Sequence, residues 1–156
     1  MAEKKTNGRR NRNAGHAWER EGVKDFALFY PKVQTSRNVN HARDAAKVDL
    51  AYADEYKDGR FPYNCQYKSY STALRYYQLL SEMPSDDGIP NVVMHKQTER
   101  VKSKFVTRDK FAIMYYDDFF KFVAYRRGFE IMIKYWDALT KEDQELVSTQ
   151  LKEIGL

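Results

Sequence analysis

Residues 47–68, KVDLAYADEYKDGRFPYNCQYK, decide the fold. Two apolar segments, residues 47–52 and 63–67, flank a polar stretch that contains Asp58-Gly59, a dipeptide typical of turns. The pattern predicts two neighbouring strands that form a hairpin. Because side chains alternate along a strand, Asp49 is expected to face away from Val48 and Leu50. By the same rule, Gln66 should face away from Cys65, which we expect to be a small core residue.

The elements outward from this stretch predict a mixed α/β domain. Ahead of it, apolar spacing predicts a helix that begins near Gly15 and ends at Pro31, then a strand over 32–36 and a loop over 37–46. After it we expect a helix over 72–83 and strands over 91–95 and 111–116. A long apolar helix follows Asp117, and a last helix follows Thr140. The order predicts a central mixed five-stranded sheet flanked by helices, with a C-terminal helical extension.

Length and composition exclude several classes of protein. The chain has 156 residues, of which 42% are hydrophobic and 15% aromatic, and this composition excludes a disordered polypeptide. No apolar run approaches the ~20 residues of a membrane span, and Met1 to Arg12 has no apolar signal segment. The single cysteine excludes a disulfide framework and a cysteine-built zinc site. We therefore expect a cytoplasmic protein without membrane contact.

The positive charge is unevenly distributed. The net charge is +5, but the first 128 residues carry +8 and residues 129–156 carry −3. The predicted organisation is a disordered basic tail over 1–13, a domain over 14–125 and a helical extension over 126–156 packed on that domain. A basic tail beside a basic body favours a polyanionic partner, although a solubilising tail has the same composition.

Four positions form the candidate site: Glu19, Asp49, Gln66 and Lys68. Hard divalent cations prefer oxygen ligands, and Mg²⁺ is often held by one or two carboxylates together with substrate phosphate. A neighbouring lysine can orient the attacking water or neutralise charge on the phosphate. From the residues alone, an Asp beside a Gln-x-Lys strand is also common on solvated sheet faces.

Three motifs in order carry a resemblance to a known family. Residues 15–21, GHAWERE, resemble the Gly-x-x-x-Glu-Arg-Glu opening of archaeal-type Holliday junction resolvases, and residues 47–50 resemble their Lys-Val-Asp-Leu strand. Residues 64–68, NCQYK, fall where that family has a Glu-x-Lys strand. The similarity covers roughly residues 14–125. It implies the restriction-endonuclease-like fold of the PD-(D/E)xK superfamily, typical of phage and prokaryotic nucleases.

The resemblance also implies roles for individual residues. Asp49 would be the central metal ligand, with the side chain of Gln66, the backbone carbonyl of Tyr67 and Glu19 completing the site for Mg²⁺, or alternatively Mn²⁺. Lys68 would act on the nucleophile or the phosphate. The family's Glu is Gln66 here, so one ligand carries no charge.

Basic and polar residues outside the site are candidates for contact with DNA phosphates. They are Ser36, Arg37, Arg43, Lys47, Lys96, Lys102 and Lys104. The expected function is a metal-dependent endodeoxyribonuclease that acts as a homodimer on branched DNA, in the manner of a Holliday junction resolvase. The alternatives are a superfamily nuclease for ends, nicks or specific sequences, and a DNA-binding protein that lost cleavage through Gln66.

Overall fold

The computed structural model describes the backbone of residues 6–153 and the side chains of residues 8 and 11–149. The helices are α1 (Thr6–Ala27), α2 (Ser36–Val39), α3 (His41–Ala45), α4 (Glu55–Asp58), α5 (Tyr76–Ser81), α6 (Tyr116–Lys134) and α7 (Lys141–Glu153), with a short 3-10 helix over Trp136–Ala138. The strands are β1 (Gln34–Thr35), β2 (Leu50–Ala51), β3 (Asn64–Tyr70), β4 (Asn91–Val101) and β5 (Lys104–Met114). The predicted α/β class is confirmed.

The predicted single five-stranded sheet is wrong. The strands form a two-stranded antiparallel sheet, β1–β2, and a three-stranded sheet of order β3-β4-β5. β4 runs parallel to β3 and antiparallel to β5. The expected β2–β3 hairpin ladder is replaced by one backbone hydrogen bond, in which Asp49 N donates to Cys65 O at 2.7 Å. The ladder does not continue beyond this bond, and the next amide on that edge, Tyr67 N, donates to the Asp49 carboxylate at 2.6 Å.

The core lies between α1 and the sheets. Trp18, Leu50, Cys65, Tyr67 and Val92 are among its buried members, which confirms that Cys65 faces the interior. A second, smaller cluster packs Leu80 and Met83 against Val93 on the other face of the three-stranded sheet. β3 is therefore covered on both faces, so even the polar side chain of Gln66 is buried.

Helix α1 is longer than the sequence pattern predicts. It begins at Thr6, so residues 6–13 are helical rather than part of a disordered tail, while residues 1–5 lie outside the described residues. Arginine has a high helix propensity, and three arginines between residues 9 and 12 extend the helix without an apolar stripe. The predicted loop over 37–46 likewise contains the two short helices α2 and α3.

Helix α6 exposes many of its apolar side chains. None of the residues of α6 is buried, although half-exposed aromatic side chains occur along it. Phe122 stacks on Tyr63 with the ring centroids 5.9 Å apart, and this contact connects α6 to the start of β3. In the part of the chain that the structure describes, no helix is long and apolar enough to cross a bilayer.

Candidate metal and phosphate site

The buried position of Glu19 is set by the close packing of α1 on β3. The ring of Trp18 meets Tyr67 edge-on at 5.2 Å, and its indole Nε1 donates to Met94 O at 2.9 Å. One turn later, a Cβ on Gly22 would lie 2.1 Å from the Tyr67 hydroxyl, so only glycine permits this approach. The neighbouring Glu19 is thereby held in a buried position, with 6% of its surface exposed.

A helix C-terminus directs the chain into Asp49. Val48 N donates to Arg43 O and Lys47 N donates to Asp44 O, the two bonds of a Schellman motif. Lys47 occupies the left-handed position of this motif, with φ 63°, where glycine is usual. After this turn, Val48 is buried in the core, with 1% of its surface exposed. The Asp49 side chain lies at the junction between the two sheets, where it accepts a hydrogen bond from Tyr67 N.

The Asp49 carboxylate sits in an environment that disfavours its charge. Burial raises its pKa to about 6, and the negative charge of Glu19 adds to the rise. The hydrogen bond from Tyr67 N and the cations Lys68 and Arg37 oppose the rise without cancelling it. Burial also raises the pKa of Glu19, against the lowering effect of Arg37. Two carboxylates that are both costly to ionise would be stabilised by an added cation.

Gln66 contributes a buried oxygen that lacks a hydrogen-bond donor. Its side chain is 2% exposed, and its Oε1 is one of three buried side-chain atoms without a partner among the described residues. The other two, Ser36 Oγ and Arg37 Nε, belong to adjacent residues at the start of α2. An unpaired buried polar atom costs about 1–3 kcal/mol, so such atoms commonly mark a place for a ligand, ion or water.

Ser36 and Arg37 join the site through the other strand pair. Ser36 N donates to Asp49 O at 2.9 Å, and the Arg37 guanidinium pairs with the Glu19 carboxylate at 2.6 Å. The Arg37–Glu19 pair was not predicted, because nothing local in the sequence links residues 18 positions apart. The structure thus brings together Glu19, Asp49 and Lys68 with Ser36 and Arg37. Gln66 is buried next to them in β3, beside the Tyr67 amide that binds Asp49.

The donor set fits a hard divalent cation. Two carboxylates and one amide oxygen are the ligand types that Mg²⁺ and Mn²⁺ accept. Residues 6–153 contain no group of three His, Cys, Asp or Glu side chains placed to hold a metal. A cation here would therefore depend on the neutral Gln66 oxygen, and on a backbone carbonyl such as that of Tyr67, in addition to Glu19 and Asp49.

Of the other predicted DNA-contact residues, only Lys47 lies beside the site. Arg43 is engaged internally, since its guanidinium pairs with Glu55 at 2.7 Å and with Asp87 at 3.0 Å. Lys96 pairs with Glu21 and lies 4.3 Å above the Trp18 ring. The remaining three side chains are exposed, Lys47 beside the site and Lys102 and Lys104 at the far end of the β4–β5 hairpin.

His16 is a neighbour of the site that the sequence analysis did not assign to it. It lies one helical turn before Glu19, and its pKa is lowered first by burial and then by Arg37, with Asp44 acting in the opposite direction. The i, i+3 spacing of His16 and Glu19 is the signal that places both on one helix face.

Comparisons of the chain with protein-family models, with curated proteins and with solved structures gave no match.

Proposed function

We propose that the protein is a metal-dependent endodeoxyribonuclease of the restriction-endonuclease-like fold that cuts branched DNA. The observation that carries the proposal is the interaction of the buried carboxylates Glu19 and Asp49, with Lys68 acting on Asp49. The unpartnered oxygen of Gln66, on the same strand as Lys68, adds support. The strand succession, with β3 and β4 parallel, is compatible with that fold. The motif order in the sequence supports the substrate class.

Separate residues would bind the metal, stabilise charge on the phosphate and contact the phosphate oxygens. Asp49, Glu19 and the Gln66 oxygen would hold Mg²⁺, which when bound lowers the pKa of a coordinated water and polarises the phosphoryl oxygen. Lys68 would neutralise charge that develops on the phosphate or orient the attacking water. Ser36 Oγ and Arg37 Nε have unused donors for phosphate oxygens. Burial of the site limits competing solvation of these charges.

Cleavage of a synthetic four-way junction in Mg²⁺ or Mn²⁺ tests the proposal. Wild type should cut, whereas Asp49→Asn and Lys68→Ala should lose cleavage by about 10²-fold or more. Asp86→Asn and Lys57→Ala change the same residue types at exposed positions and should cut normally. Equal cutting by Asp49→Asn and wild type would show that the site is wrongly assigned.

Two further outcomes separate the alternatives. If wild type is inert but Gln66→Glu cuts, the natural protein is a DNA-binding protein that lost catalysis at this position. Linear, nicked and branched substrates of equal length then distinguish a junction enzyme from a nuclease for ends or nicks. A preference below about twofold for the junction would contradict the resolvase-like function.

The proposal includes a homodimer. Large apolar side chains are normally buried, yet α6 exposes eight of them and buries none of its residues in one chain. Five exposed aromatic rings on α6 at about 100 Å² each offer roughly 500 Å². The exposed Val123, Ile131 and Ile133 extend this surface toward the ~800 Å² per partner of a standard interface. Sedimentation velocity should give twice the chain mass, and a monomer at micromolar concentration would contradict this part of the proposal.

A further inference from the structure

The hairpin of β4 and β5 extends well beyond the sheet. β3 pairs with β4 only as far as Gln97, whereas the β4–β5 pairing continues from Thr98↔Thr107 to Val101↔Lys104. We name this projecting two-stranded part, residues 98–107, the ribbon. Its four rungs span about 13 Å at ~3.3 Å per residue. A β-bulge at Gln97/Thr98 marks the point where the ribbon leaves the sheet.

The hairpin is basic, and three of its cations share one face. Residues 96–110 contain six basic and two acidic side chains, a net of +4. Lys96 and Lys110 are opposite each other and both contact Glu21, which defines the face turned toward α1. Alternation along β4 then places Arg100 on that face and Glu99 on the other. Asp109, opposite Gln97, also lies on the other face.

The ribbon is placed to meet a duplex held at the site. Lys68 is opposite His95, three residues before the ribbon begins, a distance of about 10 Å along the strand. Both strands of the ribbon are exposed from Glu99 to Thr107, and the tip carries Lys102 and Lys104. The major groove of B-DNA is about 12 Å wide and 8.5 Å deep, and it admits a two-stranded β-ribbon. The length and width of the ribbon suit this groove, and its net charge of +2, from three basic residues and Glu99, suits the flanking phosphates.

We propose that the ribbon is an arm that enters the major groove of the DNA duplex engaged at the site, with its cations on the flanking phosphates. The proposal rests on the proposed function for its choice of partner, but not on cleavage. The other role that lysines play on exposed strands is to prevent edge-to-edge pairing between copies. That role predicts aggregation, rather than weaker DNA binding, when the lysines are removed.

The test measures binding of a fluorescent DNA duplex and a four-way junction by anisotropy in EDTA, so that no cleavage occurs. The triple variant Arg100→Ser, Lys102→Ser, Lys104→Ser should bind about tenfold or more weakly at low salt. The slope of log affinity against log salt should fall by about 2–3, since each phosphate contact contributes ~0.9. The matched control, Lys24→Ser, Lys57→Ser, Arg75→Ser, removes the same charge from exposed positions outside the hairpin and α6, and should retain affinity and slope.

A second variant tests groove entry. Replacing residues 99–106 by Asn-Gly joins Thr98 to Thr107 through a two-residue turn and removes the tip without touching the sheet. Wild type should protect guanine N7 in the major groove from dimethyl sulfate, and the shortened variant should lose that protection. An RNA duplex should bind both proteins alike, because the A-form major groove is too narrow for a ribbon.

The outcomes separate this proposal from the proposed function. Ribbon-dependent binding without any cleavage supports the arm and contradicts the nuclease. Cleavage by wild type with unchanged affinity in both ribbon variants overturns the arm and leaves the nuclease intact. Equal losses for the ribbon triple variant and the control triple variant reveal only a net-charge effect and overturn the arm, as does an equal loss on RNA.

Discussion

Replacing Asp49 by asparagine should stabilise the metal-free protein at neutral pH. Burial raises the pKa of this carboxyl from 3.8 to about 6, so the folded protein binds the proton more tightly than the unfolded chain does. The difference corresponds to about 3 kcal/mol, which the folded state loses when Asp49 ionises. Asparagine carries no charge, and its side-chain oxygen can still accept the hydrogen bond from Tyr67 N.

The sign of the pH dependence follows from the same pKa values. Between pH 3.8 and about 6 the folded state holds more protons than the unfolded state, so stability falls as the pH rises through this window. The advantage of Asp49→Asn should therefore be absent below about pH 4, grow toward pH 6 and reach up to ~3 kcal/mol at pH 8. For a chain of this length that is a rise in Tm of about 6–12 °C.

Urea denaturation in EDTA between pH 4 and 8, followed by tryptophan fluorescence, measures the difference directly. Trp18 is buried against Tyr67 and should report the loss of the core. Asp86→Asn, at an exposed position, should show no such trend. A stability difference that does not change with pH, or an Asp49→Asn variant less stable than wild type at pH 8, would refute the reasoning. Mg²⁺ should raise the stability of wild type alone.

Three further substitutions test neighbouring features. Gln66→Glu should increase Mg²⁺ affinity by about tenfold or more in a calorimetric titration, because it supplies a third carboxylate, and unchanged affinity would argue against this ligand. Gly22→Ala should cost about 1–3 kcal/mol in urea denaturation, since the added methyl group meets the Tyr67 ring, and full stability would contradict that packing. Lys47→Gly should stabilise by ~1 kcal/mol through the left-handed φ, whereas Lys47→Ala should not, and equal effects of the two would contradict the backbone explanation.

Strand alternation predicted most of the local geometry around the site. Val48 and Leu50 are buried on either side of Asp49, and Cys65 lies in the core, as the pattern indicates. These predictions succeed because one apolar face of a strand leaves a period of two in the sequence. Burial of Gln66 was not predicted, because its face of β3 is covered by residues that are distant in the chain.

The ribbon and the first residues of α1 show no apolar pattern in the sequence from which they could be predicted. Residues 97–110 are solvated on both faces, so they show no alternation and resemble a polar loop. Residues 6–14 likewise have no apolar stripe to mark a helix. The break between the sheets could not be predicted either. The sequence does not show that the Tyr67 amide donates to the Asp49 side chain rather than to a backbone carbonyl.

The hydrogen bond from Tyr67 N to Asp49 makes this amide a spectroscopic reporter of the site. Its hydrogen points at a carboxylate that is proposed both to change charge near pH 6 and to bind the cation. One backbone resonance, assigned by NMR, would therefore follow proton and metal occupancy without any added probe. Because the same hydrogen bond helps to join the two sheets, that resonance would also show whether proton or metal binding changes the contact between them.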